Sequence, residues 1–98
     1  MTSYPHYLYI VAGLDTDTYL SQERDAMRRK HAVRKVLYLN EKFTHKEIGY
    51  IEMELYDKFK PTNHATIINS VNQPYDKITQ TYVQLCEDFI SNQPEGTR

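Results

Sequence analysis

Four interruptions govern what this chain can build: Gly13, the pair Thr44 and Glu47, Pro61 and Pro74. Glycine is a frequent helix stop, and proline cannot continue a helix. Threonine followed three residues later by glutamate is a capping box, which opens a helix by satisfying free backbone donors. Between these marks the apolar residues recur at helical spacing. A long helix is predicted over 22–43, with Ala32, Val36, Leu39 and Phe43 as its core stripe. A second is predicted over 44–59 with Ile48, Ile51, Leu55 and Phe59, and a third over 64–72 burying Ile67, Ile68 and Val71. The last covers 75–91, with Ile78, Tyr82, Leu85 and Phe89 turned inward. The opening run 4–12 has letters that suit helix or strand. No partner strand is evident elsewhere, so helix is favoured, with Tyr7, Ile10 and Val11 on one face. Asp15 and Asp17 read as turn and cap residues, and 19–21 as a connector or single turn. The expectation is an all-α fold, a small helical bundle. Residues 1–91 form one domain and 92–98 a flexible polar tail.

The chain has 98 residues, of which 40% are hydrophobic, enough for one domain with a real core. No apolar run approaches the roughly 18 residues of a membrane span. The start, Met1 to His6, lacks the basic region of a secretory signal, and a cytoplasmic protein is expected. Cys86 is the sole cysteine, so no internal disulfide forms and no cysteine-based zinc knuckle is available. His6, His31 and His45 lack metal-ligand spacing, and Asp15 with Asp17 lacks the rest of a calcium loop. With no glycine-rich phosphate loop and no nucleophile beside a base, neither an enzyme nor a cofactor or metal is expected.

The formal net charge is −1, but charge is segregated. From Arg24 to Lys35 the chain carries six cations against one carboxylate, Asp25. A concentrated basic face can bind phosphate on a molecule near neutrality. Arg28, Arg29 and Lys30 are therefore expected to contact phosphates, which position a protein on DNA without specifying sequence.

The stretch from Glu54 to Asn72 has the layout of two helices joined by a short turn, broken at Lys60-Pro61-Thr62-Asn63. The second helix opens with Asn63, His64, Ala65 and Thr66, short or planar side chains suited to base edges and thymine methyls in a major groove. Lys60 and Thr62, just before it, join the expected phosphate contacts.

Asn63-His64-Ala65-Thr66-Ile67-Ile68 resembles the Asp-His-Thr-Thr-Val-Ile signature that opens the recognition helix in the C-terminal domain of the bacterial replication initiator DnaA. Leu20-Ser21-Gln22-Glu23-Arg24 is similar to that family's Leu-Ser-x-x-Arg connector, and 7–12 and 36–39 resemble parts of its first and long helices. The resemblance covers about residues 4–72. It implies a helix-turn-helix bundle that reads double-stranded DNA, in replication control or transcription, as a stand-alone module without the initiator's nucleotide-binding region. It also implies that Arg24 enters a minor groove. Asn63 stands where the family has aspartate, and Ala65 where it has threonine. Two registers stay open for the first helix of the motif. Lys46-Glu47-Ile48-Gly49 matches the family's Glu-Ile-Gly with about two extra helical turns before Asn63; a gapless reading instead matches Leu55 and Phe59 to the family's isoleucine and phenylalanine and puts Tyr56 at its glycine. The competing reading is a protein-interaction module through the 44–59 helix, whose acidic side would carry Glu47, Glu52, Glu54 and Asp57.

Overall fold

In a computed structural model, residues 4–92 are described, and within them every regular element is helical. The order is α1 (Tyr4–Val11), α2 (Thr16–Leu20), α3 (Arg24–Lys35) with a π-helical continuation (Val36–Asn40), α4 (His45–Leu55), α5 (His64–Val71) and α6 (Lys77–Ser91). The expected tail lies, apart from Asn92, outside the described residues. The all-α expectation holds, and α3 is the central element, packed against α1, α2, α5 and α6. No described helix is long and apolar enough to cross a membrane.

The run 4–12 is helical, but its inward residues are Leu8, Tyr9 and Ala12; Tyr7 and Ile10 face out. Tyr9 is drawn inward by a buried acceptor, Glu52. Gly13 ends α1 as expected. It takes φ +76, Leu14 N–H donates to Tyr9 O (2.9 Å) and Gly13 N–H to Ile10 O (2.9 Å), the paired bonds of a Schellman stop. A side chain at Gly13 would also collide with the Arg29 guanidinium. Asp15 caps α2 by accepting from Thr18 N–H, whereas Asp17 lies inside that helix.

The helix expected over 22–43 starts at Arg24 and changes pitch after Lys35. The wider π turn rotates Leu39 off the stripe into solvent. Lys42, at φ 65, then reverses the chain, so Phe43 lies in a loop and packs back on the core. Ala32 and Val36 keep their expected places, joined by Val33 and Leu37.

The capping box of α4 is present: Thr44 Oγ1 accepts from Glu47 N–H, and Glu47 Oε1 accepts from Thr44 N–H. The helix stops at Leu55, short of the expected 59. Asp57 takes φ 52 and Lys58 N–H donates to Met53 O (3.0 Å), a second Schellman-type stop made without glycine. Phe59, expected in the core, is 104% exposed. The turn expected at 60–63 is instead an eight-residue connector, 56–63. It folds back on α4 where Thr62 N–H donates to Gly49 O (3.2 Å), so close that a Cβ on Gly49 would lie 2.5 Å from Thr62 O.

Asn63 caps α5 by accepting from Ala65 N–H. Ile67 and Val71 are buried as expected; the third inward residue is Ser70, and Ile68 is exposed. On α6, capped by Asp76, the core face is Thr79, Val83, Cys86 and Ile90, one residue beyond each expected position. Ile78 and Leu85 are exposed, while Tyr82 and Phe89 lie at the rim, Phe89 against Tyr7.

Candidate nucleic-acid interface

The site is built on a buried polar network. Glu52 of α4, fully buried, accepts five hydrogen bonds: from Tyr9 (2.6 Å), Tyr19 (2.5 Å), Thr62 (2.8 Å) and twice from Arg34 (2.7 and 2.8 Å). Burial alone would raise its pKa, but the hydrogen bonds and charge of Arg34 outweigh it and hold the carboxyl at about 2. Burial and then the Glu52 carboxylate push the Tyr19 phenol up to about 12. Glu52 therefore leaves the acidic outer face expected for α4. Of its other members, Glu47 closes the capping box and Glu54 pairs with His6 (3.3 Å).

The network fixes the chain before α5. Lys58 Nζ donates to Thr62 Oγ1 (2.6 Å) and to the Tyr19 hydroxyl (3.0 Å), and Thr62 donates to Glu52. Behind α5, Arg34 donates to Ser70 Oγ (2.8 Å), which leaves the Ser70 hydroxyl able to donate to His31 Nδ1, 2.9 Å away. Burial, followed by the charge of Arg34 and Lys35, lowers the His31 pKa to about 4, so the ring is neutral at pH 7.

On this support, α5 turns Asn63, His64, Ala65 and Thr66 outward, all exposed. Asn63 uses its side-chain oxygen as the cap, which leaves its NH₂ free to donate. A groove of about 680 Å³ runs along one side of this turn, between the α2–α3 region and the connector, and includes Asn63, Thr66, Lys30, Lys60 and Thr62. On the other side a cleft of about 540 Å³ brings His64 beside His45, Lys46 and Tyr50.

The remaining expected contacts are dispersed. Arg24, exposed at the start of α3, shares a separate groove with Arg28, near Gln73 and Pro74 beyond the far end of α5. Arg28 pairs with Asp76 (2.9 Å). Arg29 faces a different side, donating to Asp25 (2.8 Å) and Ala12 O (2.7 Å) beneath the Tyr82 ring. Lys30 is only 5% exposed, and its ammonium donates to Tyr19 O (2.8 Å) and Ser21 O (3.0 Å). The basic run of α3 thus consists largely of side chains bound within the protein. Lys46 and Lys58 border the α5 surface and were not expected there, because single charges leave no periodic signal; Phe59, expected in the core, borders it too.

Among the described residues, no group of three or more His, Cys, Asp or Glu could hold a metal ion. Compared with known proteins, the chain matches no family model, no curated protein and no solved structure. The likeness to the initiator domain therefore rests on the quoted residues alone.

Proposed function

We propose that this chain binds double-stranded DNA through the first turn of α5. The observation that carries the reading is the division of labour along that helix. Ile67, Ser70 and Val71 hold it to the core, while Asn63, His64, Ala65 and Thr66 project into solvent between two grooves that contain Lys46 and Lys60. An anchored helix presenting its N-terminal residues is how helix-turn-helix proteins reach base edges. In this reading Asn63, His64, Ala65 and Thr66 contact bases, Lys60 and Thr62 contact a phosphate, and Arg24 and Arg28 meet the backbone or minor groove further along. The Arg28–Asp76 pair lies outside and can exchange partners. The role is recognition without chemistry or cofactor, in the cytoplasm, in replication control or transcription. The protein-interaction alternative through 44–59 loses its main acidic member, because Glu52 is buried.

His64→Ala is the test. The side chain fills no core position, so the thermal midpoint should stay constant. Affinity for a site selected from random duplexes should fall by on the order of 1–3 kcal/mol. Non-specific binding should hardly change. A lower thermal midpoint would make His64 structural; unchanged specificity would remove α5 as the reading helix.

A further inference from the structure

The groove of about 680 Å³ beside α5 has no carboxylate in its lining; its Lys30 and Arg34 are buried and bound within the protein, its Lys58 is half-buried on Thr62 and Tyr19, and its Lys60 is exposed. Phe59 sits on its edge between two of those lysines, its side chain entirely in solvent. The loop that carries it is held at both ends. Lys58 N–H is bound to Met53 O, and Lys58 Nζ to Thr62 and Tyr19, while Thr62 N–H is bound to Gly49 O. Asp57 at φ 52 redirects the chain between α4 and this tip. An aromatic ring is thus presented in a fixed position, flanked by cations, next to Asn63 and Thr66.

We infer that the 57–61 tip is a second nucleic-acid contact, in which Lys60 meets a phosphate and Phe59 packs on a base or base step of the duplex read by α5. The inference rests on the DNA reading above. Charge decides the class of partner. Exposed Lys60, on a groove with no acid in its lining, complements an anion, and the apolar ring beside it has a matching surface when that anionic partner also carries flat bases. Proteins use such rings as stacking platforms and as wedges between base steps. Because the loop is fastened before binding, little ordering accompanies the contact, which favours affinity.

The experiment uses the full chain and a duplex selected with it. Phe59→Ala should weaken binding about tenfold, the scale of a lost base–aromatic stack, with an unchanged salt slope and an unchanged thermal midpoint. Lys60→Ala should reduce the log–log salt slope by about one. The chain has no tryptophan, so Phe59→Trp gives a single reporter whose emission should be quenched when the duplex is added. If the unaltered chain binds duplex and Phe59→Ala binds equally well, the inference fails while the DNA reading stands. A lower thermal midpoint for Phe59→Ala would also overturn it, by making the ring structural. If the unaltered chain shows no salt-dependent duplex binding, both readings fall and the tip faces a protein instead.

Discussion

Two sets of cations divide this molecule. Along α3, Lys30, Arg34 and Lys35 are buried and Arg28 and Arg29 are paired; Lys35 donates to Val71 O (2.9 Å) and to Gln73 O, and Arg34 to Glu52. Around the α5 end, Lys46 and Lys60 are exposed and form no ion pair with a described residue, as is also true of Arg24. The first set binds the protein to itself; the second is free to meet a partner. Density of positive charge in sequence does not distinguish them. What does is whether a carbonyl or carboxylate of the same chain lies within reach, which only the fold decides.

The strongest way to break that distinction is to remove Glu52. Glu52→Ala leaves the Arg34 guanidinium buried without its counter-charge and should cost about 3–5 kcal/mol in denaturant unfolding. Arg28→Ala, at an outer pair, should cost less than about 1 kcal/mol. Equal losses would show that burial does not separate the two sets.

Next in size is Lys30→Met, which keeps the apolar stem but removes the donor to Tyr19 O and Ser21 O. Unsatisfied buried groups cost about 1–3 kcal/mol, so stability should fall while the salt slope of duplex binding stays as it was. Arg24→Ala should do the reverse, lowering the slope by about one at constant stability. A lowered slope for Lys30→Met would return it to the partner-facing set.

Acid should reveal the same network. The His31 pKa is lowered from 6.5 to about 4, so the unfolded chain takes up that proton first. Its contribution is complete above pH 6.5 and is lost as pH falls toward 4. Glu52, lowered from 4.5 to about 2, adds a second loss between those values. Thermal midpoints measured against pH should therefore decline from near 6.5, and His31→Gln should delay the onset to below 4.5. A flat profile for the unaltered chain from pH 6.5 to 5 would contradict the placement of His31.

The smallest effect concerns the turn before half-buried Lys58 and exposed Lys60. Asp57→Gly relieves a left-handed backbone and should be neutral to about 1 kcal/mol stabilising, the strain of that conformation being offset by the flexibility of glycine in the unfolded chain. A clear loss would mean that the Asp57 side chain itself holds the turn.

These contrasts explain how far the amino-acid sequence could be read. Local chemistry was legible: Gly13, the Thr44–Glu47 box, Asn63 and Pro74 mark boundaries because their effects act within a few residues. Facing was less so. On α6 two apolar stripes run side by side, and the larger residues Ile78 and Leu85 are those left outside while Val83 and Cys86 are buried. Phe59 continued the α4 stripe on paper, yet Asp57 in a left-handed conformation stops the helix before it, an event usually marked by glycine. The polar core was invisible, since the partners of Glu52 lie 10 to 43 residues away in sequence. At the proposed interface the short, exposed residues of α5 were recognisable as a group; the cations that accompany them were not.

Glu52 also bears on how the molecule opens. Its five bonds, extended through Arg34 to Ser70, join α1, α2, α3, α4, the connector and α5 at one point. None of α1, α2, α3 and the connector can leave without removing a donor from the same carboxylate, and α5 is tied to it through Arg34. Amides in the middle of α3, α4 and α5 should consequently exchange with solvent deuterium through one shared opening, as a single cooperative unit. The surface of α5 then meets any ligand as a preformed solid, with recognition confined to side-chain rotations.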